Sequence, residues 1–260
     1  MYRPFLILCL ATVLSAAKLP GPVASAQEII ECALLAADED RAARPELAYR
    51  FEHLYVKHQV SSGQMREERR DRYRVVPRDG EHRFELIETG GKPATKSDLA
   101  REERLRQKFR RQTRSAGDRA RGRTGFEFDR ELVDRYHFRL DGVRIVEGRS
   151  VWVLNFEPKS DDLPVDRRVD YALNHLTGKM YFDQEDGRPV RVEFRLASPV
   201  KVWQGLLGSV RELEGRLDFI RLEPGLWMPK SMTLSSSGRM LFESLDQQVE
   251  MTWSDFDLVE

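Results

Sequence analysis

Residues 178–196 read GKMYFDQEDGRPVRVEFRL. Val190, Val192, Phe194 and Leu196 alternate with Arg191, Glu193 and Arg195, a period of two that puts the apolar set on one face of an extended strand. Met180 and Phe182 mark a second strand before it, and Glu185-Asp186-Gly187-Arg188 supplies the residues of a hairpin turn. The stretch therefore predicts two antiparallel strands, each with one face on a core and one face toward water.

The same period extends in both directions. Toward the N-terminus, Tyr49, Phe51, His53 and Tyr55 share a face, Met65 to Val76 carries Tyr73 and Val75 in phase, and Phe84, Leu86 and Ile87 mark a third strand. Tyr136, Phe138 and Leu140 alternate, Asp141-Gly142 reads as a turn, and Val143 and Ile145 continue beyond it. Trp152, Leu154 and Phe156 fall on one face. Toward the C-terminus, Leu217 and Phe219 alternate, Pro224-Gly225 turns into a strand from Trp227 to Leu234, Ser235 to Gly238 reads as a further turn, and Val249, Met251 and Trp253 close the pattern. Three helices interrupt the strands. Glu28 to about Ala43 is apolar enough to lie on a sheet and stops at Pro45, Val165 to Leu176 is a short candidate ending at Thr177-Gly178, and Ser97 or Asp98 caps a helix that runs to about Arg114. The expected class is mainly β (α+β), with meandering antiparallel strands and few helices.

The N-terminus has a different character. Arg3 precedes an apolar run from Phe5 to Leu14, Pro20, Gly21 and Pro22 follow, and Ala24-Ser25-Ala26 offers small residues for a signal peptidase. Residues 1–26 are read as an export leader, and residues 27–260 as one mature domain beginning at Gln27. Ser15-Ala16-Ala17 is a competing cleavage site. The apolar run falls short of the roughly 20 residues that a membrane span requires. This leader implies work outside the cytoplasm. Cys9 lies within the run, so removal of the leader leaves Cys32 as the lone cysteine, expected as a small buried residue on the first helix.

Composition allows a folded domain of 260 residues: 40% of them are hydrophobic and 33% charged, with mean hydropathy −0.55 excluding a multi-spanning membrane protein. Lys+Arg and Asp+Glu are both 43, which gives no general case for nucleic acid as a partner. No phosphate loop, dinucleotide fingerprint, nucleophile elbow or zinc-binding helix motif is present. His53, His58, His82, His137 and His175 stand singly, and Asp161 and Asp162 have no base or nucleophile beside them. No catalytic residue, metal site or cofactor is assigned. One segment departs from neutrality: residues 96–123 carry 11 basic and 4 acidic residues, leaving −9 on the rest of the chain from Gln27. Arg101, Arg104, Lys108 and Arg111 on this helix are candidates for an anionic surface, against the alternative of a solvated helix paired within itself through Glu102 and Glu103. Leu99, Leu105 and Phe109 form only a thin apolar seam, so weak docking is expected.

Three stretches resemble a known family. Thr177–Asp183 followed by Asp186–Glu193 reads G-x-x-aromatic-x-D and then G-x-P-x-x-x-E, Pro224–Lys230 carries a Trp-x-Pro step into a strand, and Trp253-Ser254-Asp255-Phe256 fits a closing strand. With a helix after an export leader, these resemble the LolA/LolB-like superfamily of periplasmic lipoprotein and lipid carriers, which includes MucB/RseB-type regulators. The resemblance covers residues 150–257 best and 28–60 loosely, and the basic helix at about 96–123 departs from it as an insertion. It implies a curved antiparallel sheet forming an incomplete β-barrel, helices over its concave face, and an apolar cavity for a lipid acyl chain or lipoprotein. The lining candidates are Trp152, Leu154, Phe182, Val192, Phe194, Phe219, Met228 and Met232. The alternative is a regulatory interaction module in which the same residues form a filled core.

Overall fold

The computed structural model describes residues 25–61, 63–115, 128–160, 163–165, 170–202, 208–240, 243–244 and 246–259 (the backbone alone for residues 108–115, 171, 201–202, 208, 240 and 243). The apolar run of residues 5–14 and both small-residue cleavage motifs up to Ala24 lie outside the described residues, as do Asp161 and Asp162.

The strands follow the alternation. In chain order they are β1 (Tyr49–Ser61), β2 (Gln64–Arg78), β3 (Glu81–Thr89), β4 (Lys92–Pro93), β5 (Tyr136–Val146), β6 (Arg149–Pro158), β7 (Leu176–Asp183), β8 (Pro189–Leu196), β9 (Val200–Val202), β10 (Gly208–Glu223), β11 (Leu226–Met240), β12 (Glu243–Ser244) and β13 (Gln247–Leu258). The helices are α1 (Ala26–Ala43), α2 (Lys96–Ser115), α3 (Arg130–Val133) and α4 (Asp170–Leu173), with a 3-10 turn at Pro45–Ala48.

The β7–β8 hairpin forms where the alternation places it, with Met180 opposite Val192 and Gly178 opposite Phe194. Its turn is held by Asp183, which is almost fully buried. The Asp183 carboxylate accepts from the backbone N–H groups of Glu185 at 2.8 Å and Asp186 at 3.2 Å, and takes a bidentate pair from Arg149 at 2.5 and 3.0 Å. Gly187 adopts φ 70°, the left-handed conformation that the turn requires.

All pairings are antiparallel, and the strands form one sheet in the order β4-β3-β2-β1-β13-β11-β10-β8-β7-β6-β5, with β12 beside β11 and β9 beside β10. This corrects the expected fold. The sheet is open, neither closed nor curled into an incomplete barrel, and the class is mixed α+β. Closure requires the two outermost strands to bond. Among the described residues β5 pairs only with β6, and the outermost strand at the other end is the two-residue β4 beside β3.

α1 begins at Ala26, two residues before the helix start at Glu28 that the sequence implies. Ser25 caps it: Ser25 Oγ accepts from Glu28 N at 3.2 Å, and Glu28 Oε2 accepts from Ser25 N at 2.7 Å, a reciprocal capping box. It ends at Arg44, whose φ of 51° is left-handed, and Pro45 prevents continuation. Ile29, Ile30, Ala33 and Leu34 lie on one side of the helix and join Tyr136, Trp152, Leu154, Phe156, Met180, Phe182 and Phe194 in the largest core cluster. Each large aliphatic side chain so buried contributes about 1.5–3 kcal/mol. Cys32 is buried and unpaired, and burial raises its thiol pKa. A second cluster gathers Tyr49, Phe51, Tyr73, Val75, Leu86, Leu226 and Met228, and a third holds Val146, Val151, Val153 and Val190.

Three turn and helix assignments are corrected. Asp141-Gly142 is a bulge within β5, marked by a register shift between Leu140 and Gly142, and the chain reverses instead at Glu147-Gly148. Ser235–Gly238 stays within β11, where Gly238 (φ 150°) lets the Ser209 carbonyl of β10 come too close for any Cβ. Among the described residues of the Val165–Leu176 stretch, helical geometry is confined to α4, and Thr177-Gly178 belongs to β7. In each case a glycine marks a position where a side chain would be strained, by φ at Gly142 and by overlap with a neighbouring strand at Gly178 and Gly238, which serves a bulge or a close strand as well as a turn.

Register in the sheet centre depends on one such position. A Cβ at Gly215 would overlap the Phe194 ring directly across the strand pair. Gly215→Ala is expected to cost about 1–3 kcal/mol by overpacking, read as a lowered urea midpoint. Adding Phe194→Leu is expected to recover part of that loss in a double-mutant cycle.

Candidate functional site

The pairings place one row of side chains across the sheet. From β5 to β3 it runs Leu140, Leu154, Met180, Val192, Leu217, Met232, Met251, Tyr55, Asp71 and Thr89, each directly opposite the next. Directly opposite residues share a face of an antiparallel sheet, so the row lies on a single face. At the β5 end Leu154 and Met180 are buried in the cluster that contains the α1 residues. At the β3 end Asp71 is buried beside Arg69 of β2, which also meets Glu102 of α2. In between, Val192, Leu217, Met232, Met251 and Tyr55 are only half-buried. An apolar stretch five strands wide, with two flexible methionines at its centre, thus separates the parts of the face next to the two long helices. The Arg69 guanidinium sits 5.5 Å above the Tyr55 ring at the polar end.

The eight lining candidates divide among these regions. Trp152, Leu154, Phe182 and Phe194 are buried in the α1 cluster, 0–8% exposed, and Val192 and Met232 pack at its margin. Met228 belongs to the second cluster. Phe219 is half-buried and joins none of the three clusters. The Trp152 indole N–H is buried without a hydrogen-bond partner among the described residues, inside an otherwise apolar cluster. Leu217, Met251 and Tyr55 are read from sequence as strand positions but not as lining candidates, since their membership of the row depends on register between strands far apart in the chain.

The docking of α2 differs from expectation. Thr95 caps the helix, through Asp98 N to Thr95 Oγ1 at 3.3 Å and Thr95 N to Asp98 Oδ2 at 3.0 Å, rather than Ser97 or Asp98. Leu99 and Leu105 of the apolar seam are 46% and 48% exposed. Charged groups hold the helix instead. Glu102 meets Arg69 at 3.6 Å, Arg106 at 3.5 Å and the Tyr73 hydroxyl at 3.5 Å, while Arg106 donates to the Phe84 carbonyl on β3. Beneath them Asp71 accepts from Arg69 and from Thr89 Oγ1, the latter at 2.6 Å. Burial, reinforced by Glu102, pushes the Tyr73 phenol up to about 12. Arg101 and Arg104 lie on the opposite side of the helix, exposed, with Arg101 3.7 Å from Asp98. Lys108 and Arg111 follow at helical spacing, and their side chains lie outside the described residues.

Two other features bear on chemistry. His53 is buried with its ring 4.8 Å from that of Trp253 and close to those of Tyr73 and Phe84, and its Nδ1 has no partner among the described residues. Desolvation lowers its pKa from 6.5 to about 4. A cleft of about 430 Å³ lies over β1, β2 and β13, lined by Arg50, Glu52, Arg74, Asp255 and Asp257 with Phe51 and Val76. It is charged and open, unlike the apolar row. Among the described residues no group of three His, Cys, Asp or Glu side chains is placed to hold a metal ion.

Two predictions follow from these geometries. The unfolded chain binds a proton at His53 more readily than the folded one, so stability is expected to fall as pH drops from 6.5 toward 4. The full shift corresponds to roughly 3 kcal/mol, and His53→Phe is expected to flatten that part of a stability–pH curve. Glu102→Gln is expected to speed amide hydrogen exchange along α2, whereas Leu99→Ala and Leu105→Ala should each change stability by less than about 0.5 kcal/mol.

No family model and no curated protein matches the chain. Solved structures do resemble it. An outer-membrane lipoprotein-sorting protein domain from Vibrio parahaemolyticus is 15% identical, covers 88% of this chain and 93% of its own, and has a TM-score of 0.37. A LolA superfamily protein from Nitrosomonas europaea is 13% identical over 92% of this chain and 95% of its own, with a TM-score of 0.36. The MucA/MucB complex of Pseudomonas aeruginosa matches at 12% identity over 84% of this chain and 93% of the matched chain, with a TM-score of 0.23. At these scores the likeness carries no functional argument, and the reading of the site rests on this chain's own residues. In outline the chain is similar to LolA-superfamily and MucB proteins, the group that residues 177–193 and 224–230 resemble in sequence.

Proposed function

We propose that this chain is an exported, non-enzymatic protein of the cell envelope that carries or senses a lipid or a lipidated protein. The observation that supports this reading is the half-buried row Val192, Leu217, Met232, Met251 and Tyr55 between α1 and α2. An acyl chain needs no pattern of polar groups, only apolar area, at roughly 25 cal/mol per Å² removed from water. Methionine side chains adapt to variable chains, and Arg69 at the polar end offers a cation to an anionic headgroup. The Trp152 N–H would serve an ester carbonyl that reached the α1 cluster. The basic side of α2, with Arg101, Arg104, Lys108 and Arg111, is the part proposed to meet an anionic membrane surface.

A second reading is a regulatory interaction module with a filled core. It is favoured by the near-complete burial of Trp152, Leu154, Phe182 and Phe194. The two readings separate by native mass spectrometry of protein from an exported fraction. A co-purifying acyl species that Met232→Asp removes, with the fold kept, supports the carrier. An empty wild-type protein supports the module. In either case Phe194→Asp is expected to unfold the chain, because the charge would enter the core unpaired. Changing Arg104, Lys108 and Arg111 to Ser is expected to weaken binding to anionic vesicles by a few kcal/mol at low salt, about 1 kcal/mol per residue. Equal binding by wild type and variant would remove the membrane role of α2.

A further inference from the structure

We infer that the leader is removed between Ala17 and Lys18, so that the mature chain starts at Lys18 and keeps Ser25 and Ala26. The inference rests on the export reading and chooses between the two cleavage motifs, Ser15-Ala16-Ala17 and Ala24-Ser25-Ala26.

Ser25 and Ala26 are working parts of the domain. The Ser25 side chain and the Glu28 carboxylate satisfy each other's backbone N–H groups, and the Ser25 carbonyl accepts the first helical hydrogen bond from Ile29 N at 3.1 Å. Ser25 holds the extended conformation of a cap, φ −72° and ψ 157°. Ala26 packs against the cluster that contains Ile29, Ile30, Trp152 and Phe182. Cleavage after Ala26 would remove the cap, one helical acceptor and a core contact together. It would also leave a charged amine at Gln27, on the positive end of the α1 dipole and with no cap for the free N–H groups of the first turn. Ile29 and Ile30, which that turn positions, are among the most buried side chains of the protein.

The leader's own spacing agrees. Its apolar run ends at Leu14, so Ala17 lies three residues beyond it and Ala26 twelve. A cleavage site follows closely on the apolar region of a leader, with small residues at the bond and two positions before it, here Ala17 and Ser15. The step is hydrolysis by a leader peptidase. The amide bond from the Ala17 carbonyl carbon to the Lys18 nitrogen breaks, water gives its hydroxyl to the carbonyl carbon and its proton to the nitrogen, and a carboxyl and an amine result.

The test is intact-mass and N-terminal analysis of the full chain expressed and exported in a bacterial host. Loss of the first 17 residues and an N-terminal Lys18 is the expected result. An N-terminal Gln27 overturns the inference while the export reading stands, and an intact Met1 overturns both. Ala17→Phe is expected to leave the chain unprocessed and Ala26→Phe to be cut as wild type, and the reverse pattern again overturns it. As a separate readout, protein beginning at Gln27 is expected to melt below protein beginning at Lys18, with Ser25→Ala in the longer chain reproducing part of the difference. Equal melting temperatures for the two starts would remove the physical basis of the inference.

Discussion

The ring of Phe194 on β8 lies over the bare backbone of Gly215 on β10, and its partner on the other side is Gly178 on β7, itself packed too closely against the Glu193 carbonyl for any Cβ. This steric arrangement sets the register of three adjacent strands. A slip of one residue would put a side chain into the ring and send every apolar residue of the strand to the wrong face. Once that register is set, Met180, Val192 and Leu217 must fall in line, and the β10–β11 pairing carries the row on to Met232. The core under α1 and the half-buried stretch beside it are two parts of one consequence.

The two long helices are attached by different physics. α1 gives its Ile and Leu side chains to the core, a contribution that salt does not screen. α2 leaves Leu99 and Leu105 largely in water and is tied down by Glu102, Arg106 and Arg69 around the buried Asp71. Pairs of partly exposed charges are individually worth about 0–1 kcal/mol and weaken with salt. The apolar stretch therefore has one margin fixed by burial and one fixed by charges. Arg106 also occupies the Phe84 carbonyl at the β3 end of the sheet, where an open strand would otherwise present unpaired groups.

The reading of strands from alternation was accurate where both faces of a strand meet different surroundings, as in Val190–Leu196 and Tyr49–Tyr55. It was less accurate at glycines. Gly142 and Gly238 carry φ of 130° and 150°, and sequence identifies such positions without saying whether the chain reverses there or only bulges. The α2 seam is as thin as its sequence implies, but what holds the helix was not legible. Its apolar residues are identifiable on a helical wheel, yet the partners that dock the helix, Arg69, Asp71 and Tyr73, come from β2 and acquire their role only in space. Among the lining candidates, Trp152, Leu154, Phe182 and Phe194 lie together under α1 because they sit on adjacent strands, while Met228 and Phe219, on β11 and β10, fall outside that cluster.

By itself the sequence determined that this is an antiparallel sheet protein with an apolar helix ahead of its first strand, because period-two alternation, turn glycines and a helical apolar pattern are local properties of the chain. Only the tertiary structure decided that the sheet stays open, that α2 is held by charge, and that residues from eight strands form one apolar row ending in a buried carboxylate. Those outcomes depend on which strands lie at the edges and on the register between residues nearly 200 positions apart, such as Tyr55 and Met251. Neither quantity is encoded in any single stretch.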